Sequence, residues 1–171
     1  MLYYINLVFF YSLLGFVLES VVYKHNNTNA HSSIFTGPYT LVYGFGMLFC
    51  ILCYEIGKGI ISNTILSYFL FYFLFVFITS LTEWIGGHII HYFLKIDKWN
   101  YENHKYHFGK YLCLSNSICW GFLSLITILV LHPFFVNNIL TNIPNYVTYI
   151  IIFIFLFDLL NLISKKIIKV F

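Results

Sequence analysis

The run IISNTILSYFLFYFLFVFITSLTEWIGGHIIHYFL, residues 60–94, carries a single formal charge, Glu83. Crossing roughly 30 Å of hydrocarbon takes about 20 mainly apolar residues in a helix, so this segment reads as membrane-spanning. It exceeds one straight span, and is expected to tilt, kink near Gly86-Gly87 or project beyond the bilayer. Similar runs lie on both sides of it. Toward the N-terminus, the Gly57-Lys58-Gly59 turn leads back to the run 38–57, which Gly37-Pro38 opens. Before that, the run 2–23 is broken only by Glu19. Pro suits a helix start, where its missing donor is an orphan anyway. Toward the C-terminus come a hydrophilic loop (95–110), an uncharged run (111–131), a connector with Pro133 and Pro144 (132–145), and a run bearing Asp158 (146–164). The expectation is an all-α integral membrane protein, a five-span helix bundle forming one transmembrane domain over residues 1–171. The N-terminus, Met-Leu-Tyr-Tyr-Ile-Asn, has no positive n-region and no small-residue cleavage site, so the first run reads as a retained span rather than a cleavable signal peptide.

Composition agrees. Charged residues make up 9% of the chain against about 25% in a soluble domain, too few to keep such a surface in water. The bias toward Phe, Tyr, Ile, Asn and Lys, with no Arg, points to an AT-rich coding sequence and a bacterial source. A net charge of +3 without Arg forks or a basic stripe gives no case for nucleic acid. The lysines instead set orientation. With the N-terminus outside and the C-terminus cytoplasmic, Lys24, Lys95, Lys98, Lys105, Lys110, Lys165, Lys166 and Lys169 all lie inside and only Lys58 outside. That is the positive-inside bias.

Two stretches share a pattern. Gly15-Phe-Val-Leu-Glu19 closes the first span, and Gly87-His-Ile-Ile-His91 closes the third. Each precedes a span with an aromatic-Gly-Phe triplet, Tyr43-Gly44-Phe45 and Trp120-Gly121-Phe122. The halves run in the same direction, so a parallel two-helix internal repeat (1–57 and 60–131) is expected, its axis along the membrane normal. The last span, 146–164, would stand outside it.

Intramembrane carboxylates cost about 2.5–3.5 kcal/mol on insertion scales and therefore face protein or water. Glu19 shares a helix face with Ser12 and Gly15, and Glu83 shares one with Ser80 and Gly87. Small residues there allow close helix approach. Each acid is either an interhelical hydrogen-bonding group or a site for a proton, a cation or a polar headgroup. His91, the counterpart of Glu19 in the repeat, joins them, and the three would form a polar strip running to the cytoplasmic mouth. Asp158 reads as a further intramembrane acid, with Lys165 as its expected partner, and Glu55 with Lys58 as an interfacial pair. His88 and His91 supply only two metal ligands, so neither a metal centre nor a cofactor is assigned. Cys50, Cys53, Cys113 and Cys119 read as small apolar packing residues. His104 and His107 read as solvated. Trp99 and Tyr101 suit a headgroup belt, and the loop 95–110 is expected to pack back on the inner span ends through Trp99, Tyr101, Tyr106 and Phe108. There is no GxSxG, HExxH or phosphate-cradling GxxxxGK(S/T), so no catalytic residue is assigned and the chain is not a Walker-type ATPase.

Taken in order, Tyr11-Ser-Leu-Leu-Gly-Phe-Val-Leu-Glu19, Gly37-Pro38, Tyr43-Gly-Phe-Gly46, Glu83 with Gly87, Trp99-Asn-Tyr101, Cys113-Leu114 and Ser117-Ile-Cys-Trp-Gly121 resemble the bacterial membrane-protein family described as "Putative ABC-transporter type IV", the CmpB-like permeases. The resemblance covers residues 11–133 and implies a small permease-like transporter component energised by a separate ATPase on the inner face. It also implies a Gly-Trp-x-x-Glu type pattern in both halves. This chain departs from the family at His91, where a second acid is usual. It departs again at Asn100-Tyr101-Glu102, in place of an Asp within Trp-Asp-Tyr-Ser, and at His31-Ser32-Ser33, in place of Asn-Arg-Gly. Five spans are few for a solute path, so a homo-oligomer or a partner subunit is expected. The competing expectations are a non-transporting module that binds lipid or other membrane proteins, and an intramembrane lipid-modifying enzyme using Glu19, Glu83 and His91 as acid/base groups.

Overall fold

The computed structural model describes residues 2–25 and 33–168. Most of the polar stretch 24–33, with its His31-Ser32, and Lys169 at the C-terminus lie outside the described residues. The described chain is mainly helical: α1 (Leu2–His25), α2 (Leu41–Gly57), α3 (Thr64–Leu94), α4 (Leu114–Ile126), α5 (His132–Asn138) and α6 (Asn145–Ile168). A two-residue hairpin, β1 (His107–Phe108) with β2 (Leu112–Cys113), lies between α3 and α4. Among the described residues, four helical stretches are long and apolar enough to cross a membrane, and α2, at 17 residues, is shorter.

Helix α3 is unbroken. Its 31 residues reach about 46 Å at 1.5 Å per residue, longer than one straight span, and the helix runs on through Gly86-Gly87. Asn63 caps its start, Oδ1 accepting from Leu66 N–H at 3.0 Å, and Lys95 ends it in the left-handed region at φ 57°. The two glycines serve close packing: a Cβ on Gly86 would lie 2.8 Å from Val42 Cγ2, and one on Gly87 2.5 Å from Tyr111 Cγ.

Two expectations about helix ends are corrected. The second helix begins at Leu41, three residues after Pro38. Before it, residues 33–40 run as irregular backbone, and Thr40 N–H donates to Ser12 O at 3.0 Å. That bond sets the start of α2 level with the middle of α1. The stretch 132–145 is mostly helix, not a connector. A π turn, Thr127–Leu131, carries α4 directly into α5, with Pro133 in the first turn of α5. Proline lacks an N–H and crowds the carbonyl four residues back. The wider turn relieves this, the preceding His132 N–H reaching Thr127 O, five residues back.

Consecutive helices α1–α2, α2–α3 and α3–α4 pack side by side, and α6 lies against α1. The core gathers Leu7, Tyr11, Cys50, Ile51, Phe71, Phe75 and Ile78 around Ile128 of the π turn. Tyr11 Oη meets His132 Nδ1 at 2.9 Å, tying α1 to α5. Cys50 and Cys113 are buried, whereas Cys119 is exposed. Glu55 and Lys58 pair at 2.5 Å at the end remote from the lysine-rich loop.

In the loop 95–110, Trp99 packs over Gly86 and Tyr101 turns inward, but Tyr106 and Phe108 are exposed. They lie on or beside the β1–β2 hairpin, whose turn needs Gly109 at φ 62°.

Candidate functional site

Three carboxylate clusters emerge. The first joins Glu19 and Glu83. Gly15 has no side chain, so the Tyr43 ring lies directly against α1 there, and Tyr43 Oη donates to Glu19 Oε1 one turn further on, at 2.9 Å. Gly44 packs onto Val8 and Ser12. Ser12 itself donates to Val8 O at 2.7 Å. The stripe Ser12-Gly15-Glu19 therefore faces the start of α2. On α3, Glu83 Oε1 accepts from Tyr101 Oη at 2.8 Å. Its other oxygen, Oε2, is buried without a partner among the described residues, as is Trp99 Nε1. Glu19 and Glu83 are 6% and 8% exposed. They lie close enough for their charges to interact, and Tyr43 is within range of both acids and of Tyr101. Trp120 of α4 closes the far side, its ring edge-on to Tyr43 with centroids 5.1 Å apart.

The second cluster takes His91 away from the first. His91 is half-exposed, and its Nδ1 meets Asp97 Oδ1 at 2.9 Å. Asp97 also accepts from Lys110 Nζ at 2.6 Å and Tyr111 Oη at 2.6 Å. His88 turns instead to Trp84 O at 2.9 Å. Hydrogen bonds from Lys110 and Tyr111 bring the Asp97 carboxyl from its ordinary 3.8 down to about 2, and Asp97 in turn raises Lys110. A carboxylate held this way stabilises the fold above its unfolded pKa and loses that contribution as pH falls through its folded value. The hairpin should therefore loosen between about pH 4 and pH 2. A spin label at position 108, in a cysteine-free background, should gain mobility over that window, and Asp97→Asn should be mobile throughout it. A label immobile down to pH 2 would remove Asp97 as the hairpin's anchor.

The third cluster centres on Asp158, which is 5% exposed. It accepts from Thr36 N–H at 3.2 Å, Gly37 N–H at 3.0 Å and Tyr39 Oη at 2.6 Å, and closely from Thr36 Oγ1. Its partner is thus the Gly37-Pro38 turn. Among the described residues Lys165 forms no ion pair with it. Phe9, Phe35 and Phe155 pack around Tyr39. Irregular backbone at membrane depth survives only where protein satisfies it, and Asp158 satisfies two of its N–H groups.

The first cluster has the means to hold one proton or one cation. Two carboxylates in a weakly polarisable setting repel when both are ionised, and the orphan Oε2 is an acceptor without a donor. Sequence reasoning missed Asp97, Tyr111, Thr36 and Tyr39. Only an acid just past a helix end among lysines, and a Tyr two residues after Gly37, hinted at them.

Helical stretches of spanning length, buried acids and irregular backbone held by an intramembrane carboxylate define a multi-pass α-helical membrane protein. The family described as "Putative ABC-transporter type IV" matches residues 6–163, and the chain belongs to it. No curated protein and no solved structure matches it.

Proposed function

We propose that this chain is the permease-like subunit of a transporter, with Glu19, Glu83, Tyr43 and Tyr101 as its polar gate. The observation that carries this reading is the buried acid pair with an unfilled oxygen on Glu83. A purely structural pair has no reason to leave an acceptor orphaned, since each such group costs about 1–3 kcal/mol. Family membership supports a separate ATPase docked at the lysine-rich end. Small size supports a second copy or a partner subunit completing the path. Replacing Glu19 tests the gate, with the outcomes given in the Discussion.

The chain acts as one transmembrane domain (1–171) of five spans in a bacterial cytoplasmic membrane, with the N-terminus outside and the C-terminus cytoplasmic. The distribution of lysines supports this orientation. Cysteine labelling should find position 104 reachable from the cytoplasm and position 138 only from outside; reversed labelling would invert the gate. Residues 1–57 and 60–131 form a parallel repeat with 146–164 outside it. Supporting this, each half seats a tyrosine ring on a glycine of its first helix, Tyr43 on Gly15 and Tyr111 on Gly87. Each half also carries a buried glutamate bonded to a tyrosine hydroxyl. His91 belongs to the Asp97 anchor in this reading and not to the gate.

A further inference from the structure

A groove of about 530 Å³ runs between α3, α4 and the β1–β2 hairpin. Its walls are apolar: Phe73 and Phe77 of α3, Leu114 of α4, and Phe108 and Leu112 of the hairpin. The three phenylalanines are more than half exposed, and with α3 crossing the bilayer that open side meets acyl chains. The hairpin also brings polar groups. Tyr106 and His107 belong to the lining, and Lys105 lays its ammonium over the Tyr106 ring, 5.4 Å from the centroid. His107 Nδ1 donates to His104 O at 2.9 Å. A carbonyl only accepts, so Nε2 is the ring atom left for a ligand. The fold pins this strand in place, Leu114 N–H donating to Tyr106 O at 2.8 Å and Lys110 pairing with Asp97 at 2.6 Å.

We infer that the groove is a binding site for an anionic phospholipid from the leaflet at the lysine-rich end. One acyl chain lies along Phe73 and Phe77, and the phosphate sits at Lys105, Tyr106 and His107. Charge complementarity selects the head. Among the described residues Lys105 forms no ion pair and no acid lines the groove. Of the two acids in the loop 95–110, Asp97 is held by Lys110 and Tyr111, and Glu102 accepts from Asn100 Nδ2 at 3.0 Å. A phosphate therefore meets the Lys105 charge, the Tyr106 hydroxyl and, on a protonated ring, the Nε2–H of His107. A choline or ethanolamine ammonium beyond that phosphate meets no carboxylate in the lining, so a head of net negative charge is preferred. The tail follows from reach. Ser80, also in the lining, and Phe73 are two turns apart, about 10 Å along α3, with the exposed Phe77 between them. The site uses neither Glu19 nor Glu83 and is independent of the gate.

The test uses the full chain in phosphatidylcholine nanodiscs holding a small fraction of phosphatidylglycerol with a diazirine in one acyl chain. Labelled peptides should map to the segments holding Phe73, Phe77 and Phe108. Unlabelled phosphatidylglycerol should compete, whereas glycerol 3-phosphate, which has the phosphate without the tail, should not. Lys105→Gln should cut labelling about fivefold, the worth of one basic residue at an anionic surface, and Lys105→Arg should keep it. Lys95→Gln removes an equal charge from the same loop, but from an ammonium lying over the Tyr92 ring, and should leave labelling near wild type. Ser80→Leu fills the groove from its half-buried side without touching any charge, and should cut labelling at all three segments. Equally strong labelling by a diazirine phosphatidylcholine, or labelling indifferent to Lys105→Gln and Ser80→Leu, would reduce the groove to ordinary lipid contact and overturn the inference. An equal loss in Lys95→Gln and Lys105→Gln would also overturn it, because the cause would then be the net field of the loop. Competition by glycerol 3-phosphate as strong as by phosphatidylglycerol would overturn the lipid in favour of a soluble phosphate.

Discussion

Asp158→Ala should be the most destabilising single substitution in this chain, by about 3–5 kcal/mol, the cost of breaking a buried charged network from one side. The carboxylate accepts from two backbone N–H groups and two hydroxyls of the 36–39 turn. Removing it strands four donors where no water replaces the lost bonds. Asp158→Asn keeps one acceptor oxygen and should cost about half as much, because a neutral acceptor is the weaker one. Hydrogen exchange in nanodiscs should show residues 33–40 deprotected in Asp158→Ala while α3 and α4 stay protected. Thermal unfolding gives the magnitude. An alanine variant within about 1 kcal/mol of wild type, with 33–40 still protected, would mean that the aromatic cluster of Phe9, Phe35 and Phe155 holds the turn and that Asp158 is free for another role.

That carboxylate also marks where reading the sequence stops being enough. Its membrane depth made Asp158 conspicuous, and burial was the expected consequence. Its partners were not legible, because they lie about 120 positions away in segments whose Thr36 and Tyr39 carry no pattern of their own. Lys165, two turns along the same helix, was the local choice, and the fold made a non-local one. Local rules also misplaced the start of α2 and the end of α4. Pro38 reads as the first residue of a helix, yet the chain runs three further residues before α2 begins level with Ser12. Pro133 and Pro144 make 132–145 read as a connector, yet a π turn makes room for Pro133 and the helix continues. What was legible rests on bulk physics: the apolar run 60–94, the Glu55–Lys58 pair, and the burial of Glu19 and Glu83 on faces rich in small residues. The pairing of Glu19 with Tyr43 needed the Gly15 notch to be seen as a seat for a ring. The separation of His91 from Glu83 follows from the helical turn, since eight residues rotate the side chain by about 80° off the Glu83 face. Asp97 then captures it.

Glu19→Gln separates a gate from a brace. Glutamine keeps the length and the oxygen that accepts from Tyr43 Oη, so the Tyr43 seat on Gly15 should survive, and the variant should fold and insert as wild type does. What it removes is the charge and the titration. In the gate reading, the acid pair holds one exchangeable proton or cation between Glu19 and Glu83, and one neutral member abolishes that exchange. ATP-driven flux by the assembled transporter should then fall to background. Infrared spectroscopy gives a readout that needs no substrate. A protonated-carboxyl band, shifted in deuterated water, should be present in wild type and weakened in both Glu19→Gln and Glu83→Gln. Glu19→Leu differs in kind, because it leaves the buried Tyr43 hydroxyl without its acceptor at about 1–3 kcal/mol and should lower thermal stability as well as activity. Tyr43→Phe in the Leu background removes that orphan and should restore part of the stability without restoring flux. Full flux in Glu19→Gln, with the infrared band unchanged, would make the pair a brace between α1 and α2, and the transport path would then have to run elsewhere in the bundle.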